Sequence, residues 1–182
     1  MSLSKHAQGA PTTLTLVALC AGAAPTVAKQ PVGTLTFDAF GVRGDRHAGE
    51  VFVPRYGRLK GQTVFNERQW SAVSVEDVAE LERRLGIPLP PGALGENLRV
   101  SGVSRFSKTR PGTRFRLPSG GVLFVSGENL PCSRAAQVLA QESGQPSITT
   151  AFMRAAKGLR GLVGWVEAPG ALTVGDVMTA EF

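Results

Sequence analysis

The sequence predicts a mainly β domain: a closed barrel of short strands with two or three peripheral helices. Several short runs alternate apolar and polar residues with period two. Glycine occurs 22 times in 182 residues, enough to punctuate many tight turns. Helical periodicity is confined to two or three short segments.

Residues 1–12 are polar, include Gly9 and Pro11, and are expected to form a flexible tail ahead of one domain spanning 13–182. TLTLVALC, residues 13–20, alternates as a half-buried strand does. The overlapping run LTLVALCAGAAP resembles the apolar core of a secretory signal. Only Lys5 supplies positive charge before it, however, and Leu19 before Cys20 suits a lipoprotein cleavage site poorly, so the strand reading is preferred. GTLTFDAFGV places Leu35 and Phe37 on one side of a second strand. It runs into the glycine-dense GVRGDRHAGE and then the basic loop PRYGRLKG, which carries Arg55, Arg58 and Lys60.

Ser74 opens the clearest helix. SVED has capping-box spacing, with Asp77 expected to reach back to the cap; Val78, Leu81 and Leu85 form an apolar stripe, and Gly86 and Pro88 stop the helix. PLPPGALGENL reads as a long turn in which Asn97 takes a left-handed conformation. RFRL and VLFV, joined by PSGG, predict a hairpin. A helix is expected after Cys132 and another over Ile148–Lys157 behind Ser147. The closing stretch LVGWVEAPGALTVGDVMTAEF predicts two or three strands, turning at Pro169-Gly170 and Gly175-Asp176.

A formal charge of +6 favours an anionic partner. The arginines are dispersed and tyrosine occurs once, so nucleic acid is not the expected one. No run reaches the roughly 18 apolar residues of a membrane helix, and no membrane partner is expected. Two cysteines in very different surroundings do not make a disulfide scaffold, which points to a reducing, cytoplasmic setting.

Cys20 sits in an apolar strand and reads as core. Cys132 follows Pro131 at the start of a helix, where unpaired N–H groups and the helix dipole favour a thiolate, and Arg134 adds positive charge. Such a sulfur suits nucleophilic attack or soft-metal ligation; the alternative is a small packed residue ending a loop. In GVRGDRHAGE, Gly41, Gly44 and Gly49 permit tight turns, and Asp45 and His47 would share a face if the chain were extended. The alternative there is a solvated turn. A zinc site built from histidines is not available to a chain with two of them. A catalytic Cys132–His47 pair is a further possibility if the fold brings them together. Gly95, Glu96 and Asn97 read either as a plain turn or as part of a site.

In order, GVRGDRHAG, RQWSAVSVEDVAEL, GALGENLRVSGV, PGTRFRL, the Pro-Cys at 131–132 and RGLVGWVEAPGALTVGDVM resemble the MOSC family, named for the C-terminal domain of molybdenum-cofactor sulfurases. The resemblance spans roughly residues 13–180 and is to the small standalone bacterial members. It implies a MOSC-type β-barrel in which Cys132 carries a persulfide or ligates molybdenum in a pterin cofactor. It also marks His47, Asp45, Glu96 and Asn97 as site residues, with Gly44, Gly95 and Pro131 beside them. The run SGENL before Pro131 departs from the family, whose members more often continue a strand into this turn. Residues 104–110, SRFSKTR with Phe106, replace a more usual acidic-leucine stretch.

Several functions follow from that resemblance. One is an oxidoreductase reducing small N-hydroxylated substrates at a Cys132-bound molybdenum, with electrons from a donor protein and protons from His47 or Glu96. Another is a persulfide or cofactor carrier loaded by a desulfurase. No pyridoxal phosphate is expected, because there is no room for the desulfurase domain of fused relatives. Arg43, Arg46, Arg134 and Arg160 are candidates for the cofactor phosphate.

Overall fold

The computed structural model describes residues 12–55 and 57–182. The predicted tail lies outside the described residues, except that Thr12 already belongs to β1 (Thr12–Ala21). Leu14, Leu16 and Leu19 of β1 are buried, and the change from even to odd positions follows a register shift between Leu16 and Ala18. Residues 14–21 of the segment that resembled a secretory signal therefore belong to a core strand, and Cys20 within it is fully buried.

Seven strands close the barrel: β1, then β13 (Val177–Glu181), β9 (Arg114–Arg116), β10 (Val122–Glu128), β11 (Leu162–Ala168), β7 (Trp70–Ser74) and β8 (Leu98–Ser101), which returns to β1. β2 (Gln30–Val32) extends β1. β3 (Thr34–Asp38), β4 (Gly41–Val42) and β12 (Gly170–Thr173) form a second small sheet, and β5 (Val51–Phe52) pairs β6 (Val64–Phe65). The predicted hairpin is β9–β10, and three strands occupy the closing stretch as expected, although β12 pairs distant β3.

β7 and β8 are the parallel pair of the barrel. Parallel neighbours need a crossover, here α1 (Val75–Leu85) and the long turn after it. WSAVS in β7 is buried on both faces, so it shows none of the alternation that reveals an exposed-face strand. α1 is capped as predicted on one side only. Ser74 Oγ accepts from Asp77 N at 3.1 Å, but the Asp77 carboxylate accepts from Ser107 N and Oγ at 2.9 and 2.6 Å instead of returning to the cap. The run SGENL does not end β10 early; the strand continues through Glu128 by shifting register between Val125 and Gly127. α2 (Ser133–Ser143) and α3 (Ile148–Ala155) complete the helices, α3 stopping two residues short of Lys157. None of these helices is long and apolar enough to cross a membrane.

Two apolar clusters result. Trp70, Phe106 and Phe115 fill the barrel with Leu14, Leu98 and Leu123. The second joins Leu81, Leu139, Ile148 and Phe152 between helices and barrel wall, which anchors α2 from behind. Each fully buried apolar side chain contributes about 1.5–3 kcal/mol.

Trp70 fits because its register partner on β11 is Gly164. A Cβ at 164 would lie 1.9 Å from the Phe124 carbonyl oxygen and 2.4 Å from the Trp70 ring. Gly164→Ala is expected to cost about 3 kcal/mol, at the upper end for overpacking, measured by urea unfolding. Gly33→Ala, whose Cβ meets nothing within 4 Å, should leave stability within about 0.5 kcal/mol. Equal midpoints for the two variants would contradict this account of the barrel interior.

Candidate functional site

Pro131 cannot donate to a preceding turn, and Cys132 is extended (φ −136°, ψ 151°), so α2 starts at Ser133. The Cys132 carbonyl accepts the first helical bond from Ala136 N at 3.2 Å, while its thiol makes no cap bond. The half-buried sulfur thus stands at the positive end of α2 without being consumed by it.

Arg160, 7% exposed, arrives from the loop before β11. Its Nη1 donates to Leu130 O at 2.6 Å and points at Cys132 Sγ from 3.6 Å, and Nη2 donates to Leu94 O at 3.3 Å. Arg160 Nε has no hydrogen-bond partner among the described residues.

Asp45 and His47 meet through a turn, not through an extended strand. Asp45 Oδ1 accepts from His47 N at 2.9 Å and lies 3.2 Å from Nδ1. Oδ2 accepts from Asn97 Nδ2 at 2.9 Å and Gly22 N at 3.3 Å, and pairs with Lys29 Nζ at 2.8 Å. Burial alone would raise the Asp45 pKa, but the His47 hydrogen bond and the Lys29 ammonium outweigh it and hold the carboxyl well below the usual range. The bond to Asp45 favours a charged His47, yet desolvation and the charge of Lys29 prevail and leave its pKa below the ordinary 6.5. An ionised Asp45 accepts from a protonated Nδ1, which leaves the Nε2 lone pair of His47 free.

Asn97 ties this turn to the barrel. Its Oδ1 accepts from Ser71 N at 3.1 Å in β7, and its Nδ2 donates to Cys20 O at 3.1 Å in β1. The left-handed residues of the turn are Gly92 (φ +87°) and Gly95 (φ +79°), not Asn97 as the sequence suggested. A Cβ at 95 would lie 2.9 Å from Val27 O, so the close approach also requires glycine.

These pieces line one cavity of about 350 Å³. Cys132 and His47 share it with Arg46, Arg68, Arg134 and Arg160, and Gly95, Asn97 and Pro131 complete the wall. The described lining contains no carboxylate. Arg46 Nη1 donates to Thr26 O at 2.5 Å, and Arg134 Nη2 to Pro25 O.

Other predicted residues lie elsewhere. Glu96, 2% exposed, is outside the lining. Its carboxylate accepts from Gly92 N at 3.0 Å, Leu94 N at 3.2 Å and Arg99 Nε at 3.0 Å, so it shapes the loop from outside the cavity. Asp45 acts from behind His47. Gly44 is an exposed turn residue, and the Arg43 side chain is 70% exposed beside Asp38; neither lines the cavity. Lys29, Arg68 and Asn129 escaped the sequence reading. AKQPV carries no local signal and the motif beginning at Arg68 assigns that arginine no role, so only the fold places Lys29 under Asp45, or Arg68 Nη2 2.9 Å from Asn129 Oδ1.

A carboxyl with a depressed folded-state pKa adds stability that is fully present above its unfolded value, about 4, and is lost as pH falls below that. Asp45→Asn removes this dependence and leaves Lys29 buried without a counter-charge, at an expected cost of about 3–5 kcal/mol at pH 7. Urea unfolding from pH 7 to pH 3 checks it: the gap between wild type and variant should narrow as pH falls. A gap that stays constant would contradict the ionised, paired Asp45.

Comparison with known proteins agrees with this architecture. The MOSC domain model matches residues 44–179. YuaD of Bacillus subtilis (strain 168), whose name assigns it provisionally to metal-sulfur cluster biosynthesis, is 39% identical over 149 residues, covering 78% of this chain and 77% of YuaD. The crystal structure of the B. subtilis YuaD protein superposes with a TM-score of 0.88 at 32% identity, over 95% of this chain and 98% of that one. YiiM from Geobacillus stearothermophilus shares the fold at a TM-score of 0.65 and 20% identity, over 93% of this chain and 75% of its own. With the family model matching most of its length and a relative 39% identical over three quarters of it, the chain belongs to the MOSC domain family.

Proposed function

We propose that the chain binds a molybdenum–pterin cofactor through Cys132 and reduces small N-hydroxylated compounds. The observation that carries this reading is one thiol facing a cavity whose described charged side chains are all cationic. Among the described residues no three His, Cys, Asp or Glu side chains converge to hold a metal ion. A metal that brings its own chelating ligand needs only one soft donor from the protein, and Cys132 is that donor. The arginines suit a phosphate, and about 350 Å³ lies within the roughly 300–1,000 Å³ of small-molecule sites. The residues present therefore fit the group.

When bound, the cofactor supplies two-electron removal of oxygen from the substrate. The overall change is R–NH–OH plus two electrons and two protons to R–NH₂ plus water, with the electrons delivered by a donor protein. Cys132 supplies the sulfur ligand, and Arg46 and Arg134 hold the phosphate. His47 relays protons at Nε2, while Asp45, Lys29 and Asn97 fix its ring and tautomer. A second reading has support in the naming of YuaD: Cys132 holds a persulfide received from a desulfurase, with Arg160 facing the sulfur.

The first test is molybdenum and released pterin per chain after expression in a host that makes the cofactor. Near-stoichiometric loading that Cys132→Ala abolishes, with unfolding unchanged, supports the reductase reading. No metal in either protein sinks it, and one added sulfur on Cys132 after incubation with a desulfurase and cysteine then establishes the carrier.

Turnover carries a second check. A proton supplied by His47 makes the rate fall as pH rises through its folded pKa, which lies below 6.5. That break should vanish in His47→Gln, with a rate loss of about 10²–10⁴-fold. An unchanged pH profile in the variant removes His47 from proton transfer.

A further inference from the structure

The four cavity arginines fall into two pairs with different attachments. Arg46 and Arg134 reach across to the carbonyls of Thr26 and Pro25. Arg68 and Arg160 flank the Cys132 side. Arg160 points at Sγ from 3.6 Å, and Arg68 is steadied by buried Asn129, whose backbone N–H donates to Gly161 O at 2.8 Å.

Among the described residues neither member of this second pair makes an ion pair with a carboxylate. The protein acceptors around Arg160 are the Leu130 and Leu94 carbonyls and the sulfur, and the nearby Glu96 carboxylate is engaged by Arg99. Arg160 Nε is buried with no partner among the described residues. Arg160, buried with an unused donor, and the exposed Arg68 beside it form a cationic pair in a cavity whose described lining has no acid, an arrangement that an anion would complete.

We propose that Arg68 and Arg160 form an anion-recognition subsite beside Cys132, so that the molecule meeting the sulfur presents a carboxylate or other oxyanion there. The inference rests on Cys132 as the reactive centre and deepens the reductase reading. It narrows the N-hydroxylated substrate to one carrying an anionic group and disfavours cationic hydroxyguanidines. The Arg46–Arg134 pair stays available for the cofactor phosphate, so the two anions need not compete.

Alkylation of Cys132 tests the subsite without any metal. The sulfur attacks the CH₂ carbon of iodoacetate or iodoacetamide, the C–I bond breaks and iodide leaves. The two probes differ in the carboxylate. The full chain is expressed in a host that cannot make the pterin cofactor, and the rate at Cys132 is followed by peptide mass spectrometry, which separates it from buried Cys20.

The ratio of iodoacetate to iodoacetamide rates should be about tenfold or more higher in the folded chain than in the same chain unfolded in urea, and should fall with added salt. Arg68→Met should remove most of the excess and Arg68→Lys retain part of it. Arg116→Gln, the same charge change on the barrel exterior, should leave it intact. Equal ratios in folded and unfolded chain overturn the proposal even if Arg68→Met does not fold. Equal losses in Arg68→Met and Arg116→Gln overturn it as well, because they reveal only the protein's overall field. Absence of molybdenum would not alter these outcomes, so the subsite and the cofactor reading fail separately.

Discussion

The buried carboxylate of Asp45 is the constraint on which the site depends. It is hydrogen-bonded by Gly22 after β1, by Asn97 at the end of the crossover and by the backbone and ring of His47 in its own turn, and it is ion-paired with Lys29 before β2. A carboxylate has about four lone-pair positions, and this one meets a donor for each. Placing a charge where its side chain is 0% exposed is tolerable only with such pairing. The glycine-rich turn has little apolar content with which to anchor itself. It is held to the barrel by this hub, and His47 is aimed as a consequence.

Asn97 extends the same logic to the backbone. Its amide bridges the Cys20 carbonyl of β1 and the Ser71 N–H of β7, two barrel strands separated by β8. Gly95 and Glu96 serve that placement: Gly95 permits the backbone to pass Val27, and Glu96 closes the loop around Gly92, Leu94 and Arg99. The Gly-Glu-Asn segment thus has a division of roles, in which the asparagine reaches the cavity and the glutamate braces it from outside.

The cavity draws on both apolar clusters. The small sheet of β3, β4 and β12 carries the Asp45 turn, the 86–97 loop leads into barrel strand β8 and Arg160 into barrel strand β11, while the helical layer seats α2 and with it Cys132. Loops on a rigid scaffold are the common way to position reactive groups, and here three of them meet. The net charge of +6 also gains a location: four of the 20 Lys and Arg residues face one cavity with no described acid in its lining. That concentration, more than the total, makes an anionic ligand the natural occupant.

The sequence by itself determined the elements with strong local signals. The alternation in β1, the apolar stripe and Ser74 cap of α1, and the turn residues of the β9–β10 hairpin are all properties of neighbouring residues. Cys132 at a helix start and the Asp45, His47 and Asn97 candidates were legible in the same way, and the order of the motifs pointed to the family. Tertiary structure alone decided β7, whose two buried faces erase alternation, and the pairing of β12 with β3, more than 130 residues away at Thr34–Phe37. It also decided that Asp77 serves Ser107, that Glu96 stays outside the cavity, and that Lys29 and Arg68 belong to the site. The physical reason is the same in each case. These roles are set by which donors and acceptors are left unpaired when distant segments pack, and no local spacing records that.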